Sequence, residues 1–316
     1  MVRGLDENGE MAFELPVVDA ASLGMWCELH LGSPAESELF RTGHLTRVIG
    51  TRLADGREVV VRVRPAAPRL TACTEVQRHL FDSGYPCPQP LAGPAPLGEH
   101  AASAESYIPG GAALPGSGRT AQPFAAALAR LVHLTPRPDQ MPSLAPAPPW
   151  AAWNHSQGGL WPWPEDLEVD LNQVDGPGWI DAAGRAARQK LREDQDPAVI
   201  GHGDWITDNL RWHGNRLLVA YDWDSLIAGS EAVIAGLAAA IYLYPALPTV
   251  TETREFLSAY ATARGRPFRP GELQRCWAAG VWTRAYDAKQ QHAAGQPVTC
   301  LTQDEAHERL RRAGMR

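Results

Sequence analysis

The alternation of apolar and polar residues predicts a β-rich region in the first third of the chain. Two β-prone runs, Val48–Leu53 and Glu58–Arg64, flank an Asp55-Gly56 turn. Asp-Gly between such runs is a strong signal for a β-hairpin. A helix is predicted from Leu70 to Asp82, and its end is marked by Gly84, with Pro86 and Pro88 just beyond it.

Short extended segments return between Leu91 and Ile108, and the cluster Pro109-Gly110-Gly111 follows them. Proline and glycine after an apolar strand indicate a hinge between domains. We therefore predict an N-terminal domain over residues 1–108 and a C-terminal domain over residues 109–316.

The second part of the chain is mainly helical by the same criteria. Helices are predicted over Pro123–Leu134 and Trp179–Glu193, and three more are predicted near the C-terminus. Two of these three begin with capping-box spacing, Thr249 with Glu252 and Thr302 with Glu305. The third is expected to have Pro270 at its first position and to end near Ala293. Strands followed by helices predict an α+β fold.

Residues 135–178 are rich in proline and tryptophan and lack periodicity. A loop of this length in a compact domain is often functional. Two interpretations stay open: a surface loop anchored by its tryptophans, or a lid over a substrate pocket.

Composition narrows the class of protein. Hydrophobic residues make up 44% and charged residues 21%, which is typical of a globular protein. The chain has no apolar run long enough to cross a membrane, and its first ten residues lack the pattern of a secretory signal. Its five cysteines are widely spaced and form no metal-binding pair. A cytoplasmic protein without membrane contact is expected.

Charge and basic residues add two further points. A net charge of −7 disfavours nucleic acid as a partner and is compatible with a cationic substrate. Of the 29 basic residues, only Lys190 and Lys289 are lysines, so the predicted β-rich domain contains none.

The candidate chemistry is concentrated in one segment. His202-Gly203-Asp204 follows an apolar run, Asn209 comes five positions after the aspartate, and a predicted hairpin leads to Asp222-Trp223-Asp224. Phosphoryl transfer requires a base for the attacking hydroxyl and oxygen ligands for Mg²⁺. Protein kinases supply these from an Asp-x-x-x-x-Asn loop and a later Asp-aromatic triplet, and the spacing here is the same.

These motifs resemble those of the aminoglycoside phosphotransferase and choline-kinase-like superfamily, over about residues 35–290. The resemblance implies a two-lobed protein-kinase-like fold with a small β-rich N-lobe for the nucleotide and a larger helical C-lobe. It also implies ATP and Mg²⁺ as cofactors, Asp204 as catalytic base, and Asn209 and Asp222 as metal ligands. His202 would order the loop.

The resemblance assigns nucleotide contacts to the N-lobe as well. Gly43 and Thr46 occupy the place of the glycine-bearing hairpin over the phosphates. Arg62 stands where the family has its strand lysine, with Arg64 as a second candidate, and Glu75 is the expected helix partner. Arginine can replace lysine as a phosphate ligand, although its geometry differs. The linker residues Ser106, Tyr107 and Ile108 would contact adenine.

Three departures keep alternatives open: the single glycine of the hairpin, Arg62, and Gly236 where the family has an acid. The leading hypothesis is transfer of the γ-phosphate of ATP to a hydroxyl of a small molecule, such as an aminoglycoside antibiotic or a metabolite. The alternative is a nucleotide-binding pseudo-kinase with a regulatory role. A metal-dependent hydrolase is disfavoured, since His202 and Asp204 lack further ligands at helical spacing. The acceptor and the oligomeric state are not predicted.

Overall fold

Two structural units make up the chain, Met1–Gly110 and Gly111–Arg316. The computed structural model describes residues 2–5, 11–13, 15–114, 120–141 and 144–315. The sequence-based boundary follows Ile108, immediately before the Pro-Gly-Gly cluster in which the structure divides the chain.

The first unit is built on an antiparallel sheet flanked by helices. Its elements are β1 (Val2–Leu5), β2 (Met11–Phe13), α1 (Ala20–Leu31), β3 (Ala35–Thr42), β4 (Arg47–Leu53), β5 (Glu58–Pro65), α2 (Arg69–Asp82), β6 (Pro90–Leu97) and β7 (His100–Ser106). Strands β3 to β7 form one sheet in the order β3-β4-β5-β7-β6, while β1 pairs with β2.

Helix α1 covers one face of this sheet, and the sequence analysis did not predict it. The Asp19 side chain caps its first turn by accepting from Ser22 N, and Gly32 ends it with φ 74°. Its Leu23, Trp26 and Cys27 pack in one hydrophobic cluster with strand residues that include Val61 and Val63. Since side chains alternate along a strand, Arg62 and Arg64 lie on the opposite face.

The second unit contains two short β-pairs and a set of helices. Its elements are α3 (Ala121–Leu134), α4 (Gly178–Arg192), β8 (Ala198–His202), β9 (Leu210–His213), β10 (Arg216–Ala220), β11 (Leu226–Ser230), α5 (Glu231–Ile241), α6 (Val250–Ala263), α7 (Pro270–Ala293) and α8 (Gln303–Arg312). β8 pairs with β11 and β9 with β10, both antiparallel. The α+β class is confirmed, and the capping box of Thr249 and Glu252 is formed.

Helices α5 and α7 pack at close range. A Cβ added to Gly236 would lie 2.2 Å from Cys276 O, and one added to Gly280 would lie 3.0 Å from Ala240 Cβ. A larger side chain at Gly236, including the acid expected from the family resemblance, would therefore clash with the backbone of α7 in this packing. None of the described helices is both long and apolar enough to cross a membrane.

The start of α7 is fixed by a buried carboxylate. Glu272, 4% exposed, accepts from Arg269 N at 2.6 Å and from Arg266 Nη1 at 3.0 Å. Burial works to raise the pKa of Glu272, but the hydrogen bonds from Arg269 and Arg266 outweigh it and bring the pKa to about 2. The carboxylate is therefore ionised in the folded protein and stabilises the N-terminus of α7.

Candidate active site

The loop after β8 carries the predicted catalytic residue of the second unit. Pairing of β8 with β11 sets His202 opposite Leu226, and Gly203 N then donates to Ser225 O at 2.7 Å. A Cβ on Gly203 would lie 3.0 Å from that same oxygen. Glycine thus allows the loop to pass close to the neighbouring chain segment before it presents Asp204.

Asp204 and Asn209 are joined directly. The Asn209 amide Nδ2 donates to Asp204 Oδ2 and to Asp204 O, each at 2.9 Å. Both donor contacts use the amide nitrogen, so the Asn209 Oδ1 atom remains as the group that can ligate a cation. The sequence analysis placed Asp204 and Asn209 in one loop, and the structure shows in addition that their side chains are hydrogen-bonded to each other.

The environment of Asp204 favours a carboxyl that can take up a proton near neutral pH. Burial raises the pKa of Asp204 to about 7; the charge of Asp222 adds to the increase, and the hydrogen bond from Asn209 opposes it. A general base is most effective when its pKa lies near the operating pH. Asp208, four positions on, is exposed in the same loop.

His202 is fully buried and holds the loop together. Its Nε2 donates to Tyr221 O at 3.0 Å, and its Nδ1 accepts from Asp204 N at 3.2 Å. The ring meets Trp205 and Trp223 edge-on, with centroids 5.6 and 5.9 Å away. These contacts connect the Asp204 loop to the segment just before Asp222, which agrees with an ordering role for this histidine.

Asp222 follows β10 in a left-handed conformation, with φ 63° and ψ 52°. Tyr221 N donates to Asn209 O at 2.8 Å, so this turn is tied to the turn that carries Asn209. Ser225 Oγ donates to Asp222 Oδ2 at 2.5 Å, which fixes the carboxylate. A non-glycine residue in this conformation is strained, and such strain is concentrated at functional sites.

The donor set suits a hard cation. Asn209 and Asp222 offer amide and carboxylate oxygens, the ligand types that Mg²⁺ prefers. Within the described residues, no group of three or more His, Cys, Asp or Glu side chains could hold a metal by itself. The oxygen atoms of these two residues fit a Mg²⁺ ion by ligand type, and such an ion would need further oxygen ligands.

Two groups near the loop were missed by the sequence analysis. Trp150 Nε1 donates to Gly203 O at 3.2 Å. Burial raises the pKa of Asp287, on α7, to about 7, and the charges of Asp166 and Asp204 contribute. The sequence signal for Asp287 was a charged residue flanked by Ala285, Tyr286 and Ala288, all three of which are buried in α7.

The Trp/Pro-rich segment is anchored to the second unit. Arg188, on α4, donates to the carbonyls of Trp153, His155, Gly159 and Leu160. Asn172 Oδ1 accepts from Leu160 N at 2.7 Å and from Trp161 N at 2.9 Å. These bonds favour the interpretation of residues 153–161 as an anchored loop over that of a lid.

In the first unit, Arg62 pairs with a carboxylate that the sequence analysis did not assign. Arg62 Nε lies 3.4 Å from Glu105 Oε1. Glu75, the expected helix partner, is exposed on α2, and the α2 residue that contacts Glu105 is Gln77. Arg64 is 6% exposed and donates to Ser103 Oγ at 3.0 Å and to Arg62 O at 3.2 Å.

The turn between β3 and β4 brings Gly43 and Thr46 together. Gly43 has φ 136°, and a Cβ there would lie 1.9 Å from Thr46 O. Only glycine permits this turn, in which the chain folds back on itself before β4. Its role towards phosphate stays a prediction.

The end of β7 leaves few backbone donors for a nucleobase. Ser106 N donates to Gln89 O at 2.9 Å, and Tyr107 N donates to Glu58 O at 3.2 Å. Base contacts by the backbone of these two residues would therefore use their carbonyls, and Ile108 follows directly. Phe40, which the sequence analysis missed, lies with its ring centroid 5.8 Å from that of Tyr107.

Comparisons with known proteins define the class. The chain matches the phosphotransferase enzyme family over residues 37–268, and it belongs to that family. No curated protein sequence matches it significantly.

Solved structures show the same kinase-like fold. Spectinomycin phosphotransferase, solved with ADP and spectinomycin, superimposes with a TM-score of 0.58 at 14% identity, covering 94% of each chain. Amicoumacin kinase, solved with AMP-PNP and Ca²⁺, gives 0.57 at 14% identity, covering 88% of this chain and 86% of that chain. An aminoglycoside phosphotransferase gives 0.57 at 16% identity, with 94% and 97% covered.

Proposed function

We propose that this protein transfers the γ-phosphate of ATP to a hydroxyl group of a small molecule. The observation that carries the proposal is the contact between Asn209 Nδ2 and Asp204 Oδ2 at 2.9 Å, beside the constrained carboxylate of Asp222. A base and two oxygen ligands within one pair of turns are the parts that phosphoryl transfer requires.

Each residue then has a distinct role. Asp204 Oδ2 is held by Asn209, so Oδ1 is the atom that orients the acceptor hydroxyl and accepts its proton. Asn209 Oδ1 and Asp222 would hold Mg²⁺. When bound, that ion neutralises charge on the phosphates. In the first unit, Arg62 would bind phosphate.

The acceptor class is the least determined part of the proposal. The solved relatives include kinases of antibiotics such as spectinomycin, so hydroxyl-bearing antibiotics belong first in a substrate panel. Asp287 and Asp166 are neighbouring carboxyl groups of the second unit, and an acceptor that carries an ammonium group near them would favour their ionised forms. Neutral sugar alcohols and choline-like alcohols complete the panel as comparators.

The test measures ADP release and product mass together. The purified protein is incubated with Mg-ATP and each acceptor, and mass spectrometry searches for the gain of one phosphate. Asp204→Asn keeps the volume and the Asn209 contact but removes the base; general-base catalysis contributes about 10²–10⁴-fold, and we expect a loss of that size. Asp208→Asn, an exposed acid in the same loop, is the matched control and should retain activity.

Full activity of Asp204→Asn would refute the assignment of the base. Tight nucleotide binding without transfer to any acceptor of the panel would instead favour the pseudo-kinase alternative. A thermal-shift titration with Mg-ATP, performed in parallel, separates these two results.

A further inference from the structure

The pair formed by Arg62 and Glu105 lies within one sheet. Arg62 is on β5 and Glu105 on β7, and these strands are antiparallel neighbours with Val60 opposite Glu105 and Arg62 opposite Ser103. Residues opposite each other share a face of the sheet, so both charged side chains lie on the face that α1 does not cover. Their side chains are 14% and 7% exposed, which makes the ion pair largely shielded from water.

Gln77 occupies the second oxygen of the same carboxylate. Its Nε2 donates to Glu105 Oε2 at 2.8 Å and to Pro88 O at 3.0 Å, and the residue is 5% exposed. Glu105 thus has Arg62 at Oε1 and Gln77 at Oε2. A carboxylate held at both oxygens has little rotational freedom, so it can fix the direction of the guanidinium that faces it.

We infer that Glu105 is the positioning residue for Arg62, and that the carboxylate which orients the phosphate-binding cation comes from β7 rather than from α2. The inference rests on the proposed function, since it assigns Arg62 to the phosphates of the nucleotide. Gln77 supports Glu105 from the helix as a neutral group. Glu75 is exposed on α2, and the inference assigns it no role in orienting Arg62.

This arrangement has a mechanical consequence. Where a helix supplies the carboxylate, the direction of the cation depends on where that helix lies. Here both members of the ion pair belong to neighbouring, hydrogen-bonded strands, so a displacement of α2 would remove the Gln77 contact but leave the pair of Arg62 and Glu105 in place.

The test compares nucleotide binding with nucleoside binding by calorimetry. Adenosine reports the base and ribose, while Mg-ADP adds the phosphates; Mg-GDP and guanosine are used if the wild type prefers them. Glu105→Gln keeps the size of the side chain and the contact to Gln77 but removes the charge that faces Arg62. We expect Mg-ADP affinity to fall about tenfold to a hundredfold, the size of a hydrogen bond to a charged group, with adenosine affinity unchanged.

A double variant distinguishes the position of the carboxylate from the net charge of the cluster. Gln77→Glu combined with Glu105→Gln moves the negative charge from β7 to α2, where it lies against Pro88 O and not against Arg62. We expect the reduced Mg-ADP affinity to persist in this variant; recovery of the affinity would overturn the assignment of the orienting carboxylate to β7. Glu99→Gln, in the exposed turn between β6 and β7, removes one charge elsewhere in the unit and should change neither affinity.

Each outcome decides the inference. Glu105→Gln with unchanged Mg-ADP affinity would overturn it while leaving the proposed function intact. A drop in melting temperature with an unchanged ratio of Mg-ADP to adenosine affinity would make Glu105 a structural residue and also overturn it. If the wild type binds Mg-ADP no better than adenosine, both the inference and the nucleotide assignment fail.

Discussion

Replacement of Arg188 by methionine tests whether the Trp/Pro-rich segment is a fixed part of the second unit. Arg188 is 7% exposed and lies on α4. It donates to Trp153 O at 2.7 Å, Gly159 O at 2.6 Å, Leu160 O at 3.1 Å and His155 O at 3.2 Å. Methionine keeps an unbranched apolar stem and removes every donor, so the four carbonyls lose a partner.

The size of the effect follows from that count. A typical hydrogen bond contributes about 1 kcal/mol net, and bonds to a charged group contribute more. Loss of the four Arg188 bonds should therefore lower the free energy of unfolding by about 3–5 kcal/mol, because relaxation of the loop recovers part of the difference. Domains of ordinary stability have only about 5–15 kcal/mol in total.

Two assays check this prediction. Urea denaturation gives the change in unfolding free energy, and limited digestion with chymotrypsin reports cleavage next to Trp153 and Leu160, which should accelerate in the variant. Arg185→Met, an exposed residue one turn earlier on the same helix, is the matched control and should remain within about 0.5 kcal/mol of the wild type. A change below about 1 kcal/mol for Arg188→Met, with unaltered digestion, would refute the anchoring role.

Three further predictions concern single positions. The folded pKa of Glu272, about 2, lies below the unfolded value, so its stabilisation is complete above about pH 5 and is lost as the pH falls towards 2. The melting temperatures of Glu272→Gln and wild type should therefore differ most at pH 7, differ less near pH 3 and converge only as the pH approaches about 2. Gly43→Ala should destabilise the protein by about 1–3 kcal/mol in denaturation, whereas Gly24→Ala, where a Cβ meets nothing within 4 Å, should not. Ser225→Ala removes the hydrogen bond to Asp222 and should raise the Mg²⁺ concentration for half-maximal activity about tenfold; an unchanged value would contradict a positioning role.

The helices and the β4–β5 hairpin could be predicted from sequence because their signals are local. The Asp55-Gly56 turn gave the hairpin, and Pro270 gave the first residue of α7, which the structure begins at that position. Helix α1 escaped prediction because its amphipathic pattern is weak: Met25 and Leu29 are 68% and 77% exposed while Leu23 and Trp26 are buried. Apolar residues on both faces give no clear period.

The closeness of the candidate residues of the second unit could be predicted because they are close in sequence and joined by short turns. Asp204 and Asn209 share one loop, and a single hairpin leads on to Asp222, so spacing alone indicates that they meet. Trp150 and Asp287 reach the same neighbourhood from distant segments. Their proximity depends on packing of α7 and of the Trp/Pro-rich segment, which no local pattern encodes.

The residue pattern of α2 predicts more about the surroundings of Arg62 than the sequence analysis used. In α2 the buried positions include Cys73, Val76, Gln77 and Leu80, the i, i+3, i+4, i+7 spacing of a core-facing stripe. At 3.6 residues per turn, Glu75 lies about 200° around the helix from Gln77, and therefore on the solvent side. The pattern thus predicts that Gln77 faces the core and that Glu75 faces solvent.

The carboxylate itself required more than the pattern of one element. Alternation along β7 places Glu105 on the same face as Ser103, but contact with Arg62 also requires β5 and β7 to be neighbours in the register that sets Val60 opposite Glu105. A shift of one residue would turn Glu105 to the face covered by α1 and leave a charge in the apolar cluster. The cost of burying that charge helps to fix the register. The ion pair that we propose orients the phosphate-binding cation therefore also stabilises the strand alignment on which it depends.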